Sequence, residues 1–527
     1  MGRKILFVTT DQQRYDSLGC NGGQIARTPV VDGLAAAGVN YRRAYNQNTV
    51  CMPARSTMLT GQYVRTHGVF ANGVPLPLDA LSVAAHLKEQ AGYRTALLGK
   101  AHFEPGFDLD HQWQENYLAD DDSTGPMRGF DRVELSMHTP TVLGSPVQHY
   151  GKWLLRNHPG AEDGFAPLLS VEGGGDTGAP ETKVNPVPRD WYHTDWVADR
   201  TIAYLDSLDD GEDWFVWMSF PDPHHPWDPP ASERHRVDWR DLDLPPGHPG
   251  NPDAIREVLA QKPAHWLAWY EGAWCNQEGG PGRFEPGQLS HDQVSEINAM
   301  AHVMNELIDE ACGRVLRRVA ERGWDADTDV LFTTDHGELQ GDFGFVYKGP
   351  FHTDALMRVP LVWRPAPAAG VTPAEVTEPV GHVDLAPTFC DIAGVALADW
   401  MQGEALPAAP GSGRERVLCE WDSQFPGYGM HLRSIYRDGW LCTAYERSTK
   451  GEPNGLEWFQ VNGRPPESSV TYDGSEGELY RVDEDPCQFR NLWDDPDYEG
   501  IRKDLVADLY DHLPPERQPK LKVARPA

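Results

Sequence analysis

Two stretches, ILFVTTDQ at residues 5–12 and VLFTTDHG at 330–337, decide how this chain folds. Each is a short apolar run followed by two threonines, an aspartate and a second polar residue. Runs this short and without alternation read as buried strands of an α/β sheet. Two further runs share the plan. TALL at 95–98 leads into Gly99-Lys100-Ala101-His102, and FVWMSF at 215–220 leads into Pro-Asp-Pro-His224-His225-Pro. Ligands of open α/β sheets sit beyond the carboxyl ends of the strands. Four polar strand ends, remote in sequence, can therefore converge on one place. Singly, each has a plainer reading. An aspartate after a strand often caps a helix or forms a turn, a lone His102 can be a satisfied polar residue, and Lys348 in YKGPFHTD can be a solvated lysine. Their coincidence favours a site.

The remaining sequence keeps an α/β rhythm. Helices are expected over 30–37, 81–90, 195–208 and 291–321, the last with Ser290 as N-cap and Gly323 just past its end. On that helix Glu310, Arg314, Arg317 and Arg318 line the wet face, and Leu307, Val315 and Val319 the dry one. Two Gly- and Pro-rich regions, 120–190 and 228–290, read as irregular insertions that rim a pocket. Trp266, Trp269 and Trp274 in PAHWLAWYEGAW either wall a substrate site or bury the second insertion against the body. GEALPAAPGSGRER at 403–416 reads as a linker. Beyond it, strands at 416–420, 433–436 and 440–445, with an Asp438-Gly439 turn, form a small unit. The expected organisation is a catalytic domain over 1–402, a linker over 403–415 and a C-terminal α+β subdomain over 416–527.

Bulk properties narrow the function. The 527 residues, 40% of them hydrophobic, can build a large core, and the formal net charge of −33 argues against nucleic acid or an anionic membrane as partner. An anionic substrate would need positive charge supplied locally. The apolar run after Arg3-Lys4 is too short for a signal-peptide core, and no stretch is long enough to span a bilayer. Eight cysteines without paired spacing read as thiols of a reducing compartment, so a cytoplasmic location is expected.

Asp11, Asp335 and His336 together can hold a divalent cation, Ca2+, Mg2+ or Mn2+, with the imidazole favouring Mn2+ over an all-oxygen set. Gln12 can add a carbonyl oxygen or cap its turn. The stretch NTVCMPARSTMLTG at 48–61 sets Cys51 at or just before a helix that Pro53 opens and Gly61 ends. A helix N-terminus favours a tetrahedral anion and lowers a thiol pKa. Cys51 is thus a thiolate nucleophile, a metal-ligating thiolate, or a buried structural cysteine.

Cys51-Met52-Pro53-Ala54-Arg55, continuing to Gly61, resembles the signature of the type I sulfatases of the alkaline phosphatase superfamily. Residues 92–102, 223–226, 334–338, 358–361 and the tail segments at 478–480, 485–486 and 491–492 are similar to other segments of that family, in order along nearly the whole chain. The resemblance implies a large mixed sheet sandwiched by helices with a smaller C-terminal α+β subdomain. It implies that a formylglycine-generating enzyme oxidises Cys51 to formylglycine. One hydroxyl of the hydrated aldehyde attacks sulfur, and loss of the proton from the other ejects sulfate. By the same resemblance Asp11, Asp335, His336 and the modified Cys51 hold one metal ion, and Arg55 steadies the ionised diol. Lys100 and Lys348 bind the sulfate oxygens, and His102 hydrogen-bonds the diol and can take its second proton. His224, with His225 as rival, protonates the leaving oxygen together with Lys348. Asn72 touches the substrate, a small organic sulfate ester. Family members are often oligomeric, which leaves a homo-oligomer open.

The pairs Asp11-Gln12 and Asp335-His336 depart from the Asp-Asp and Asp-Asn of many members and resemble choline sulfatases and phosphonate monoester or phosphodiester hydrolases. They weigh against the family's usual Ca2+ and make Mn2+ credible. The near rival is therefore a phosphonate monoester or phosphodiester hydrolase with the same nucleophile, against which stand Lys100 and His102. More distant rivals are a phosphomutase using Thr49 or Ser56 with two metals, and a noncatalytic binding protein with unmodified Cys51.

Overall fold

The computed structural model describes residues 2–106, 108, 110–274, 276, 280–281, 284–423, 429–449 and 470–524. Its main sheet has eight strands: β1 (Lys4–Thr10), β2 (Val39–Tyr41), β3 (Arg94–Gly99), β4 (Arg132–Leu135), β5 (Trp214–Ser219), β6 (Thr328–Thr334), β7 (Leu361–Arg364) and β8 (Ala374–Val376). Their spatial order is β8-β2-β7-β6-β1-β5-β3-β4. Only β7 runs antiparallel to its neighbours. The four strands expected from sequence are all present, each extended by one to several residues at an end except that Phe220 falls outside β5.

Alternation along the strands sets the layers. Ile5, Phe7, Leu97, Phe215, Trp217 and Leu331 pack on one face with α2 (Cys51–Thr60), α3 (Val83–Ala91) and α6 (Leu385–Ala393). Leu6, Val8, Ala96, Leu98, Val216 and Val330 pack on the other with α1 (Pro29–Ala36), α4 (His193–Asp206) and α5 (His291–Glu321). Both faces are dry, which is why the strands read as unbroken apolar runs. Helix α5 has the expected bounds and a capping box between Ser290 and Gln293. Leu307, Val315 and Val319 are buried in the core, each contributing roughly 1.5–3 kcal/mol. On its outer side Arg314 pairs with Asp195 and Arg318 with Asp206. Helix α3 begins at Val83 rather than 81, because the Ser82 side chain accepts the Ala85 N–H and fixes the start there.

The two irregular regions are more ordered than the sequence suggests. The first contains β4 and a helix over Gln148–Asn157, and the second contains helices over Pro252–Leu259 and His265–Tyr270. Trp266, Trp269 and Trp274 are buried with Phe345 and Phe351 in an aromatic cluster, so they fasten the insertion to the body. Segment 403–415 has no helix or strand but is packed down: Arg414 pairs with Asp384 at 3.0 Å, and Tyr41 donates to the Pro407 carbonyl. A separate antiparallel sheet follows, β9 (Arg416–Asp422), β10 (His431–Arg437), β11 (Trp440–Tyr445) and β12 (Gly477–Arg481), joined in that order. Asp438 and Gly439, at φ of 52° and 78°, make the left-handed hairpin turn. One face of this sheet carries α7 (Glu499–His512) through Leu505 and Leu509, and the other packs on Tyr45 and Met357 of the body. Among the described residues no helix is long and apolar enough to cross a membrane.

Strand register brings the polar ends together. Thr10 pairs with Thr334, Thr9 with Ser219, Ser219 with Gly99, and Gly99 with Leu135. The residues just beyond these positions therefore emerge at one rim of the sheet. Gly99 makes the turn into Lys100 at φ 103°, where a Cβ would lie 1.8 Å from the Ser219 carbonyl oxygen. Only glycine fits that close approach.

Candidate active site

Asp11 leaves β1 and Asp335 leaves β6, both fully buried. The Asp335 carboxylate accepts the Gln12 N–H at 3.0 Å and the His336 N–H at 2.9 Å through Oδ1. Its Oδ2 accepts from Arg55 Nε at 2.8 Å. Gln12 turns through a left-handed φ of 65°, and its side-chain oxygen takes a hydrogen bond from Lys348 Nζ at 2.7 Å. The Gln12 amide nitrogen donates to the buried Glu338. Lys100 Nζ is bonded to Asp11. Burial pushes the Asp11 carboxyl up, but Lys100, Lys348 and Arg55 outweigh it and hold it well below the usual carboxylate range.

His336 supplies a directed lone pair. Its Nδ1 faces the Gly337 carbonyl at 2.9 Å, so that nitrogen carries the proton and Nε2 is bare. Burial holds the ring pKa down at about 4, so the imidazole is neutral. Nε2 lies 3.7 Å from both Asp11 Oδ1 and Asp335 Oδ1 and 3.2 Å from Cys51 Sγ. A lone pair aimed at two carboxylate oxygens is unfavourable unless a cation lies between them. Donor atoms of Asp11, Cys51, Asp335 and His336 all fall within 4.8 Å of one another. This donor set fits one divalent ion. It is the only such group among the described residues, and the Thr49 hydroxyl is spent on the Gly349 carbonyl.

Cys51 is the first residue of α2, and every residue of that helix is buried. Asn72 accepts the Met52 N–H at 2.9 Å, so its carbonyl serves the helix start. Cys51 Sγ lies 3.1 Å from Lys348 Nζ and 3.9 Å from Lys100 Nζ. A lowered thiol pKa is expected at a helix N-terminus, and the site reverses it: burial and Asp11 push the Cys51 thiol up against both lysines. An unmodified Cys51 is thus a protonated thiol, not a ready thiolate.

Arg55 lies one turn further into α2 and spends its donors on strand ends. It reaches Asp335, the Lys100 carbonyl at 2.9 Å, the Ser219 hydroxyl at 2.9 Å and the Thr10 carbonyl at 3.3 Å. The guanidinium therefore ties β1, β3, β5 and β6 together at the rim. Replacing Arg55→Leu is expected to destabilise the metal-free protein by about 3–5 kcal/mol in denaturant unfolding, because it strands a buried carboxylate.

His224 and His225 lie against one another, ring centroids 3.9 Å apart, with different partners. His224 Nδ1 donates to the His225 carbonyl, and Nε2 accepts from Lys348 Nζ at 2.9 Å. The His225 ring instead sits edge-on to Tyr347 and Trp227. His102 is held in a left-handed turn, φ 53°, by Glu115, which accepts the N–H groups of His102 and Phe103. Neither His102 ring nitrogen has a hydrogen-bond partner. Burial, with Lys100 and Lys348 nearby, keeps His102 and His224 neutral. Glu115, Glu338 and His138 belong to this neighbourhood and escape sequence reasoning. The signal for His138 is RVELSMH at 132–138, a fifth strand end masked by its two charged residues.

A family model described as Sulfatase matches residues 3–395. An ulvan-active sulfatase of Formosa agariphila is 37% identical over 96% of this chain and 78% of its own length. An uncharacterized sulfatase, YidJ, of Escherichia coli is 25% identical over 98% of this chain and 88% of its own. Among solved structures, a phosphonate monoester hydrolase of Agrobacterium radiobacter superposes with a TM-score of 0.74 at 22% identity, covering 97% of this chain and 95% of that one.

Proposed function

The chain belongs to the sulfatase family, and from that premise we propose that it hydrolyses a small organic sulfate ester, R–O–SO3−, to an alcohol and sulfate. The observation that carries this reading is Cys51 at the start of a buried helix, within a convergent donor set and near two lysine ammonium groups. Matured by a formylglycine-generating enzyme, residue 51 supplies a hydrated aldehyde whose one hydroxyl attacks sulfur and whose other releases sulfate. Asp11, Asp335, His336 and residue 51 would hold a Ca2+ or Mn2+ ion, which would supply Lewis acidity at the nucleophile.

The chain's own side chains do the rest. Lys100 and Lys348 approach Cys51 Sγ from separate elements, so they clamp sulfate oxygens and offset charge that grows in the transition state. Lys348 donates to His224 Nε2, and this pair can pass a proton to the leaving oxygen. An anionic ester lodged between the two ammonium groups raises the proton affinity of that imidazole. Unpartnered ring nitrogens leave His102 able to hydrogen-bond the nucleophile and take its second proton. Arg55 fixes the strand ends that carry the ligands.

The second reading is a phosphonate monoester or phosphodiester hydrolase, favoured by the imidazole of His336 in the donor set and by Gln12 beside Lys348. Comparing kcat/KM for 4-nitrophenyl sulfate and a matched 4-nitrophenyl phosphodiester decides between them. The sulfate is expected to win by about tenfold or more, and a large preference for the phosphodiester would overturn the proposal.

A further inference from the structure

His138 lies three residues beyond the end of β4, in the rim loop next to Lys100 and His102. The loop is tied two residues earlier, where the Ser136 N–H donates to the Gly99 carbonyl at 3.0 Å. Its ring is 4.0 Å, centroid to centroid, from the ring of His224, at an interplanar angle of 62°. The residue is only 5% exposed, yet neither ring nitrogen meets a hydrogen-bond partner. Burial, with Lys100 close by, keeps the imidazole neutral, so one nitrogen is a donor and the other an acceptor. A buried donor and acceptor without protein partners are costly, and such groups are completed by an ordered water, an ion or a ligand; beside His224 and Lys100 a ligand is within reach. A neutral imidazole complements a hydroxyl, which also both donates and accepts. The sulfate head, all acceptors, would use only the imidazole N–H and leave the bare nitrogen unpaired, and the lysines are already placed for that head.

His224 and Lys348 mark the leaving-group side, and the His138 ring stands directly against His224. We infer that His138 is a substrate-binding residue that hydrogen-bonds a hydroxyl of the alcohol half of the ester, close to the sulfated carbon, and so selects for hydroxylated alcohols. This rests on the sulfatase reading and on His224 facing the leaving oxygen. An alcohol lacking that hydroxyl leaves the imidazole unpaired in the closed complex, which is the strongest form of discrimination a polar pocket has.

The test uses trans-2-fluorocyclohexyl sulfate and trans-2-hydroxycyclohexyl sulfate; fluorine is close to a hydroxyl in size and withdraws electrons at least as strongly, so a preference for the hydroxylated ester is not one of leaving-group acidity. Wild-type kcat/KM is expected to favour the hydroxylated ester by about 10- to 100-fold. In His138→Phe the ratio should collapse to near one through loss on the hydroxylated ester alone. His138→Gln, which keeps a donor and an acceptor, should retain most of it. A wild-type ratio near one, or a loss in His138→Phe that is equal for both esters, overturns the inference and leaves the ring as packing for His224. The wild-type ratio does not depend on any variant folding. Failure of the sulfatase reading looks different: neither sulfate turns over while methyl phosphodiesters of the same two alcohols do, and the ratio is then read on those. Where no ester turns over, calorimetric affinities for the two sulfates give the same ratio.

Discussion

Cys51→Ala is expected to lower kcat/KM for an aryl sulfate by about 10^4-fold or more while the protein still folds. The fold survives because alanine keeps the Cβ and suits a helix, and loss of one sulfur from a packed site costs only about 1–2 kcal/mol. Activity does not survive because no neighbour can substitute. The Thr49 hydroxyl is spent on the Gly349 carbonyl, and Ser56 lies more than a turn further along α2. The native thiol is itself a poor reagent, since burial and Asp11 keep it protonated. Attack by sulfur would leave a sulfur-bound sulfate with no second hydroxyl to expel it. Specific activity should therefore rise in proportion to the fraction of the Cys51 peptide that carries the mass of formylglycine, extrapolating to zero for the unmodified chain. Full activity in the alanine variant, or in protein whose peptide mass is that of cysteine, would remove residue 51 from the chemistry.

What could be read from sequence follows a physical divide. Strands buried on both faces announce themselves as apolar runs, and their polar ends at Asp11, Lys100, His224 and Asp335 stand out by contrast. Helix α5 was legible because its capping residue and its wet and dry faces agree. Strand β4 was not, because RVEL carries two charges, and with it went His138. Side-chain partnerships were hidden altogether. Nothing in a linear pattern tells that Arg55 staples four strand ends, that Glu115 holds the His102 turn, or that burial and Asp11 outweigh two lysines at Cys51. The tryptophans could be read either way from sequence, and of the two readings it is the fastening of the insertion that the aromatic cluster supports.

Chelation of divalent ions is expected to cut turnover by about 10^3-fold or more and to lower the thermal midpoint by several degrees, both restored by adding back a single ion type. The stability effect follows from the donor set. Without an ion, the His336 lone pair and two carboxylates face one another inside the protein, relieved by Arg55, Lys100 and Lys348 and by the Gln12 and His336 N–H groups on Asp335. A bound cation turns that repulsion into attraction and ties β1, α2 and β6 at one point. The charge balance also explains how an acidic chain, at −33, takes an anion. Three cationic side chains against two carboxylates leave the pocket positive, and a divalent ion makes it more so, enough to receive both an ester monoanion and an ionised nucleophile. Nitrogen ligation should favour Mn2+ in restoring the wild type, and His336→Asn should shift that preference toward Ca2+. Because the thermal midpoint is read without substrate, a chelated protein that keeps its turnover and melts unchanged would mean that Asp11, Asp335 and His336 hold no ion, and that the lysines alone offset the charge.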